Sequence, residues 1–322
     1  MKILIIKPSS FGDIIQANPV LQALKTQWPD CRIDWLVFKQ WKEAVEIFPN
    51  VHTAKVWDRS GGIESFFKIL KDCKKENYDL VIDLQGLLRT ALFAKFLKAP
   101  KKIGVSGMKE FSWLFLKEPY KKDPEMNAVL RNLKTVTYLT GKQYVPEFKI
   151  NTDRESGIFD KLKITDTDKT VAFIPFARGK SKTWNRQHYL KLAEMIKSYN
   201  EKINIVIFGS VKDYGKIKSN SIMDLCGRTD IAELANLLKK CTCVIGADTG
   251  AMHLANAVGA KSVFIFGGSD IKETAPYGPN GFTLTANLEC SPCRGRCRYK
   301  EERCLEEIKP RAVFDKIKQW IE

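Results

Sequence analysis

Residues 243–267 read CVIGADTGAMHLANAVGAKSVFIFG, and the fold is decided here. Residues 243–246 are a short apolar run. Asp248-Thr249-Gly250 is a turn, and a helix opens from it and reaches residue 258. Residues 262–266 are a second apolar run, closed by Gly267-Gly268. A strand, a turn, a helix and a strand, with both strands apolar at successive positions, describe a parallel sheet buried on both faces. Upstream, residues 171–175 and 203–208 are strands of the same kind. Between them lie a basic loop, 177–183, and a helix over 186–199; a further helix spans 231–239. The same alternation fills the first half. Strands are expected at 2–6, 33–38, 51–57 and 78–83, and helices at 14–27, 40–47, 63–76 and 87–97. Pro19 falls in the first of these helices, near enough to its start to be tolerated.

The expected class is therefore α/β, with two doubly wound halves. A chain of 322 residues is long enough for two domains at roughly 100–200 residues each. The polar stretch 151–169 separates them, giving domains 1–160 and 161–322. In such sheets ligands bind at the carboxyl ends of the strands. Hydrophobic residues make up 44% of the chain, an ordinary fraction for a globular protein. No run reaches the ~18 apolar residues of a membrane span. The opening MKILIIKPSSFGD is too short in its apolar part for a signal peptide, so a cytoplasmic protein is expected.

The formal charge of +16 favours polyanionic partners. It is densest from Arg89 to Lys122, through Lys95, Lys98, Lys101, Lys102, Lys109, Lys117 and Lys121, opposed only by Glu110 and Glu118. Phe93, Phe96, Phe111, Trp113, Leu114 and Phe115 are interleaved. A basic stretch mixed with aromatics suits an anionic lipid surface; a plain solvated lysine face is the other reading. A nucleic-acid-binding protein is the rival of a different class, and charge alone supports it. No helix-turn-helix, zinc-finger array or RNA-binding aromatic signature accompanies the charge.

Three turns follow strands and carry chemistry. Asp248-Thr249-Gly250 opens a helix, whose free N–H groups and dipole suit a phosphate. It is equally an N-cap with a core-facing histidine, His253. Ser9-Ser10-Phe11-Gly12-Asp13 is the matching turn of the first half, without the three spaced glycines of a dinucleotide fingerprint. A carboxylate at a helix start stays ionised and could take a proton from a hydroxyl; it could also simply cap the helix. The third turn, Arg178-Gly179-Lys180-Ser181-Lys182-Thr183-Trp184, is dense in cations that could neutralise a departing diphosphate.

Four segments, KPSSFGDIIQANPVLQALK, YDLVIDLQGLLRT, KSKTWNRQHY and GADTGAMHLANAVGAKSVFIFG, in this order and spacing, resemble glycosyltransferase family 9, the bacterial heptosyltransferases of the lipopolysaccharide inner core. The resemblance implies the GT-B architecture, two Rossmann-like domains facing a cleft, with acceptor on the first and donor on the second. It implies Asp13 as catalytic base and Lys182 beside the donor phosphates. Asp248, Thr249, Gly250 and His253 would belong to the donor turn, Asp213 would face the ribose and Thr229 the adenine. Arg178 stands where the family often has hydroxyl residues, and would contact phosphate in their place. Ser10, Gly12, Arg89, Lys101 and Lys102 are the acceptor-side candidates. The implied reaction moves heptose from ADP-heptose to a lipid A–Kdo or heptosylated core acceptor, with inversion. It needs no cofactor for catalysis and no nucleic acid, and it would run at the anionic inner face of the inner membrane. Relatives using another sugar nucleotide or a protein acceptor are the alternative within the family.

Cys290, Cys293, Cys297 and Cys304 form a separate cluster with metal-ligand spacing. Arg294, Arg296 and Arg298 among them would lower the thiol pKa values. A structural zinc or iron, free thiols, and disulfides all remain open from spacing alone. The helix that follows, 312–321, is expected by analogy with the architecture to cross back onto the first domain.

Overall fold

A computed structural model describes residues 1–121, 123–299 and 302–322, so Lys122 of the basic stretch lies outside the described residues. The chain divides into two units, Met1–Asn151 and Thr152–Glu322. The division comes earlier than the expected 160/161 for a hydrogen-bonding reason. Lys149 N donates to Asn18 Oδ1 at 2.9 Å and Asn151 N to Ile47 O at 2.8 Å, which ties this stretch to the first unit. The carbonyl of Thr152 instead accepts from Asn236 Nδ2 at 2.7 Å, within the second.

The first unit holds β1 (Lys2–Ile6), β2 (Arg32–Phe38), β3 (Thr53–Trp57), β4 (Leu80–Asp83) and β5 (Lys101–Gly104), all parallel, in the order β3-β2-β1-β4-β5. The second holds β6 (Thr170–Ile174), β7 (Asn204–Ile207), β8 (Met223–Asp224), β9 (Cys243–Ala247), β10 (Ser262–Ile265) and β11 (Gly281–Leu284). These too are parallel, in the order β11-β10-β9-β6-β7-β8. Central strands bury nearly every residue, as their continuous apolar runs require: Ile3 to Ile6 are fully buried, as is the whole of β9. Each sheet reverses its winding once, between β1 and β4 and between β6 and β9. Crevices form at the carboxyl ends of the strands at such points. At the second, Gly246 lets the backbones close up: a Cβ there would lie 2.4 Å from Ile174 O and 2.8 Å from Met252 Sδ.

Several local expectations change. The single helix over 14–27 is two, Phe11–Ala17 and Pro19–Gln27. The first begins earlier than expected, which puts Pro19 in an interior position where its ring and missing N–H cannot be accommodated. The chain restarts there with Pro19 at the first helical position. The apolar pattern does not predict strands β5, β8 and β11 or the helix Ala128–Thr140. The helix Pro310–Ile321 belongs to the second unit. Val313, Phe314, Ile317, Trp320 and Ile321 are buried in the second unit's own core, and Phe314 meets Tyr199 of the helix Arg186–Tyr199 edge-on at 5.8 Å. Among the described residues no helix is long and apolar enough to cross a membrane.

Candidate active site

In the second unit, the elements beside the β6/β9 reversal deliver one compact cluster. Asp248 follows β9, Lys182 ends the 3-10 turn Lys180–Lys182 that follows β6, and Ser269 follows β10. Asp248 is buried, 7% exposed. Its Oδ2 accepts from Lys182 Nζ at 2.6 Å and Ser269 Oγ at 2.7 Å, and its Oδ1 lies 3.3 Å from His253 Nε2. Burial alone would raise the Asp248 pKa; His253 and Lys182 outweigh it and hold the carboxyl far below the usual carboxylate range. A carboxylate so saturated with donors is not itself a phosphate ligand. It is the anchor that aims Lys182 and Ser269. The next residue, Thr249, is the N-cap of the helix Gly250–Ala257, yet its side chain makes no cap hydrogen bond. Thr249 Oγ1 is buried and without a hydrogen-bond partner among the described residues. An unmet hydroxyl at a helix start, with an ammonium and a second hydroxyl anchored alongside, is an arrangement for an anion.

The other donor-side candidates lie along the same edge. Arg178 is exposed in the loop after β6. His253 is buried and packs on the Phe264 ring at 5.3 Å. Asp213 follows β7 in the turn Val211–Asp213, and both of its oxygens are engaged: Ser210 N and Oγ donate to Oδ2, and Lys216 Nζ to Oδ1 at 2.7 Å. Burial opposes the charge of Asp213, but Lys216 and Ser210 win and lower its pKa. Its first role is thus to close its own turn. Thr229 is half-buried just before Asp230, the N-cap of the helix Ile231–Lys240. Sequence reasoning missed Ser269; the signal was a hydroxyl residue directly after the Gly267-Gly268 strand end.

The first unit has a second cluster at the β1/β4 reversal. Ser10 caps the helix Phe11–Ala17, with its N–H donating to Asp13 Oδ2 at 3.0 Å and its hydroxyl to the same oxygen; Gly12 sits in that first turn. Ser9 N donates to Gln85 Oε1 at 3.3 Å, which joins this turn to the one after β4. Beneath them lie two buried ionisable groups that sequence reasoning passed over as strand ends. Lys7 Nζ donates to Leu84 O at 2.9 Å. Burial lowers the Lys7 pKa against the opposing fields of Asp13 and Asp83. Asp83 Oδ1 accepts from Gln85 N at 2.9 Å and Gly86 N at 3.2 Å, while its Oδ2 is buried with no hydrogen-bond partner among the described residues. Burial pushes the Asp83 carboxyl up to about 6.

Of the acceptor-side cations, Arg89 lies in the first turn of the helix Leu88–Phe96, at the right edge of the sheet. Lys101 and Lys102 do not. They begin β5, paired with the start of β4, at the opposite edge from Asp13. Lys102 Nζ is spent on the carbonyls of Lys95 and Leu97 at the end of that helix. The four clustered cysteines, Cys290, Cys293, Cys297 and Cys304, follow β11. All are unpaired, and Cys304 is buried in the second unit's core. Among the described residues no three His, Cys, Asp or Glu side chains are arranged to hold a metal ion.

The family model for glycosyltransferase family 9 (heptosyltransferase) matches residues 66–302. The chain is 25% identical to lipooligosaccharide heptosyltransferase 2 of Haemophilus influenzae, over 100% of this chain and 99% of that protein. In fold it is similar to the E. coli ADP-heptose lps heptosyltransferase II, with a TM-score of 0.81 at 22% identity, covering 100% of this chain and 98% of that one. The E. coli heptosyltransferase WaaC with ADP-2-deoxy-2-fluoro heptose is similar with a TM-score of 0.77 at 20% identity, covering 99% of each chain. At these identities the structures establish the shared GT-B fold. Together with the family match across most of its length, they identify this chain as a glycosyltransferase belonging to family 9, the heptosyltransferases.

Proposed function

We propose that the enzyme transfers heptose from ADP-heptose to the Kdo/heptose inner core of lipopolysaccharide, inverting the anomeric configuration. The observation that carries the donor half is the unmet Thr249 hydroxyl at the start of the helix Gly250–Ala257, with Lys182 and Ser269 anchored beside it on Asp248. These groups and Arg178 meet the charge that grows on ADP as the glycosidic bond breaks. On the acceptor side, Asp13 takes the proton of the attacking hydroxyl as the new bond forms. The transition state has oxocarbenium character, as in glycoside hydrolysis. One direct displacement inverts the centre, and the cations and helix start do the work that a divalent metal would otherwise do. Asp213 and Thr229 follow β7 and β8, on the side of the reversal away from β9, and in this reading they face the nucleoside.

The acceptor is lipid-linked, and the first unit carries features suited to an anionic bilayer surface. Phe111, Trp113 and Leu114 are 67%, 49% and 71% exposed, close to the Gly86 turn that Ser112 Oγ and Lys109 N hydrogen-bond. Lys109 and Lys117 flank them. Aromatic and leucine side chains enter the headgroup boundary while lysines bind anionic lipid. Peripheral attachment at the inner face of the inner membrane follows from this reading.

The test is incubation with ADP-heptose and Kdo-lipid A, with and without a first heptose, and mass analysis of the product. Addition to one acceptor and not the other assigns the step. If neither acceptor gains a heptose, and ADP leaves the melting temperature unmoved, the proposal is wrong.

A further inference from the structure

Three layers of chain stack beside Asp248. The first is the turn Lys180–Lys182, which brings Lys182. The second is the loop after β10, which brings Ser269. The third is the cysteine-bearing loop 290–297, which the reaction as described does not use. Gly268 is bonded on both sides: its N–H donates to Ser181 O at 3.0 Å, and its carbonyl accepts from Arg294 N at 2.8 Å. Two side chains add to the hold, with Ser291 Oγ donating to Gly267 O at 3.1 Å and Arg294 Nη2 to Asp270 Oδ2 at 2.9 Å.

The packing at this junction is close. A Cβ on Gly268 would lie 2.6 Å from Cys293 Sγ and 3.4 Å from Ser181 Cβ. A Cβ on Gly267 would lie 2.4 Å from Ser181 O and 2.8 Å from Leu305 Cγ. Ser181 and Gly268 immediately precede Lys182 and Ser269, the two donors on Asp248 Oδ2. Any displacement of Gly268 therefore passes in one residue to each of them. A shift of about 1 Å takes a 2.7 Å hydrogen bond beyond the bonding range, and misplacements of that size cost an active site heavily.

We propose that the loop 290–297 is a brace that sets the positions of Lys182 and Ser269 on Asp248, with Cys293 as the wall that requires Gly268 to carry no side chain. Gly268 and Cys293 are positioning residues; neither touches the reacting atoms. The proposal rests on the reading of Asp248-Thr249-Gly250 as the donor site.

The test is a compensating pair. Gly268→Ala drives a methyl into Cys293 Sγ, and ADP affinity measured by titration calorimetry falls about tenfold or more, with donor KM rising and kcat falling. Adding Cys293→Ala removes the struck atom, and the double variant recovers most of the loss. A merely structural role for the loop would not predict that specific rescue. A double variant as weak as Gly268→Ala, or a Gly268→Ala enzyme that binds ADP as the wild type does, overturns the brace. Should Gly268→Ala fail to fold, iodoacetamide treatment of Cys290→Ser/Cys297→Ser adds bulk at Cys293 of the folded protein. Peptide masses then establish the labelled site. ADP affinity falls on labelling, and bound ADP slows the labelling; complete labelling of Cys293 with unchanged affinity refutes the brace. Failure of the untreated wild type to bind ADP would instead remove the donor reading itself.

Discussion

Replacing Asp83 by Asn should remove one pH-dependent cost from the first unit's stability in the mildly acidic range. Asp83 is fully buried, one of its oxygens has no hydrogen-bond partner among the described residues, and burial raises its pKa from 3.8 to about 6. Thr90, the Gln85 and Gly86 N–H groups and Lys7 oppose the rise without cancelling it. The unfolded chain releases this proton near pH 4 and the folded chain near pH 6. Between those values the folded state binds more protons, so stability falls as pH rises, and the cost is complete above about pH 6. A shift of about 2.2 units at about 1.36 kcal/mol per unit gives about 3 kcal/mol. Asn carries no charge at any pH. At pH 4 the unfolded-state group is already more than half ionised, so the stability of Asp83→Asn relative to wild type should rise by about 2 kcal/mol between pH 4 and pH 7, about 4–8 °C in melting temperature for a unit of this size. Groups that do not titrate in this window cancel from the difference. Urea unfolding at several pH values, followed by tryptophan fluorescence, measures it. Trp28, Trp35, Trp41, Trp57 and Trp113 lie in the first unit against Trp184 and Trp320 in the second, so the signal reports mainly on the right half. A difference that stays flat across the window would show that Asp83 is already ionised in the folded protein at pH 4, and the burial argument would fall.

Further outcomes follow from the two clusters. Asp13→Asn should leave ADP affinity intact by calorimetry and lower kcat by about 10²–10⁴, the worth of a general base; normal turnover would exclude Asp13 from that role. Lys182→Ala should lower kcat by about 10²–10³ and raise donor KM, because a charge on the leaving group goes unmet; unchanged kinetics would free Lys182 of it. Asp248→Asn should weaken ADP binding about tenfold by releasing Lys182 and Ser269, and cost about 1–2 kcal/mol in unfolding. Solvent screening of Lys182, whose side chain is 38% exposed, keeps that stability cost small. Phe111→Ser/Leu114→Ser should weaken sedimentation with anionic vesicles about tenfold and leave activity on a detergent-dispersed acceptor unchanged; equal vesicle binding would remove these side chains from the membrane contact.

What was legible in the sequence was whatever depends on local pattern. Buried parallel strands announce themselves as unbroken apolar runs, and the helix Arg186–Tyr199 was readable to its ends from its period. The turns at Asp13 and Asp248 were found because they sit between a strand and a helix. Short edge strands were not found: β5 begins Lys-Lys and β8 has two residues, so neither has the hydrophobic signature of a central strand. Lys101 and Lys102 were misplaced because a charge run carries no information about which end of a strand it occupies. Asp83 and Lys7 were overlooked for the opposite reason. A charged residue at the end of an apolar run looks like the start of a solvated loop, and only three-dimensional packing closes over it. The saturation of Asp248 was equally invisible, since Lys182 and Ser269 reach it from residues 66 and 21 positions away.

The helix Pro310–Ile321 has a bearing on how the protein is made. Phe314, Ile317, Trp320 and Ile321 share one core with Val171 and Phe173 of β6. On the ribosome the first unit has all its strands and helices by residue 151 and can fold while synthesis continues. The second has all six strands by residue 284 but still lacks the apolar wall that those late residues supply. The sheet whose strand ends carry Asp248, Lys182 and Ser269 is then still short of part of its core. ADP binding should therefore be among the last properties a nascent chain acquires, and a chain arrested before residue 310 should hold a folded first unit and no grip on the nucleotide.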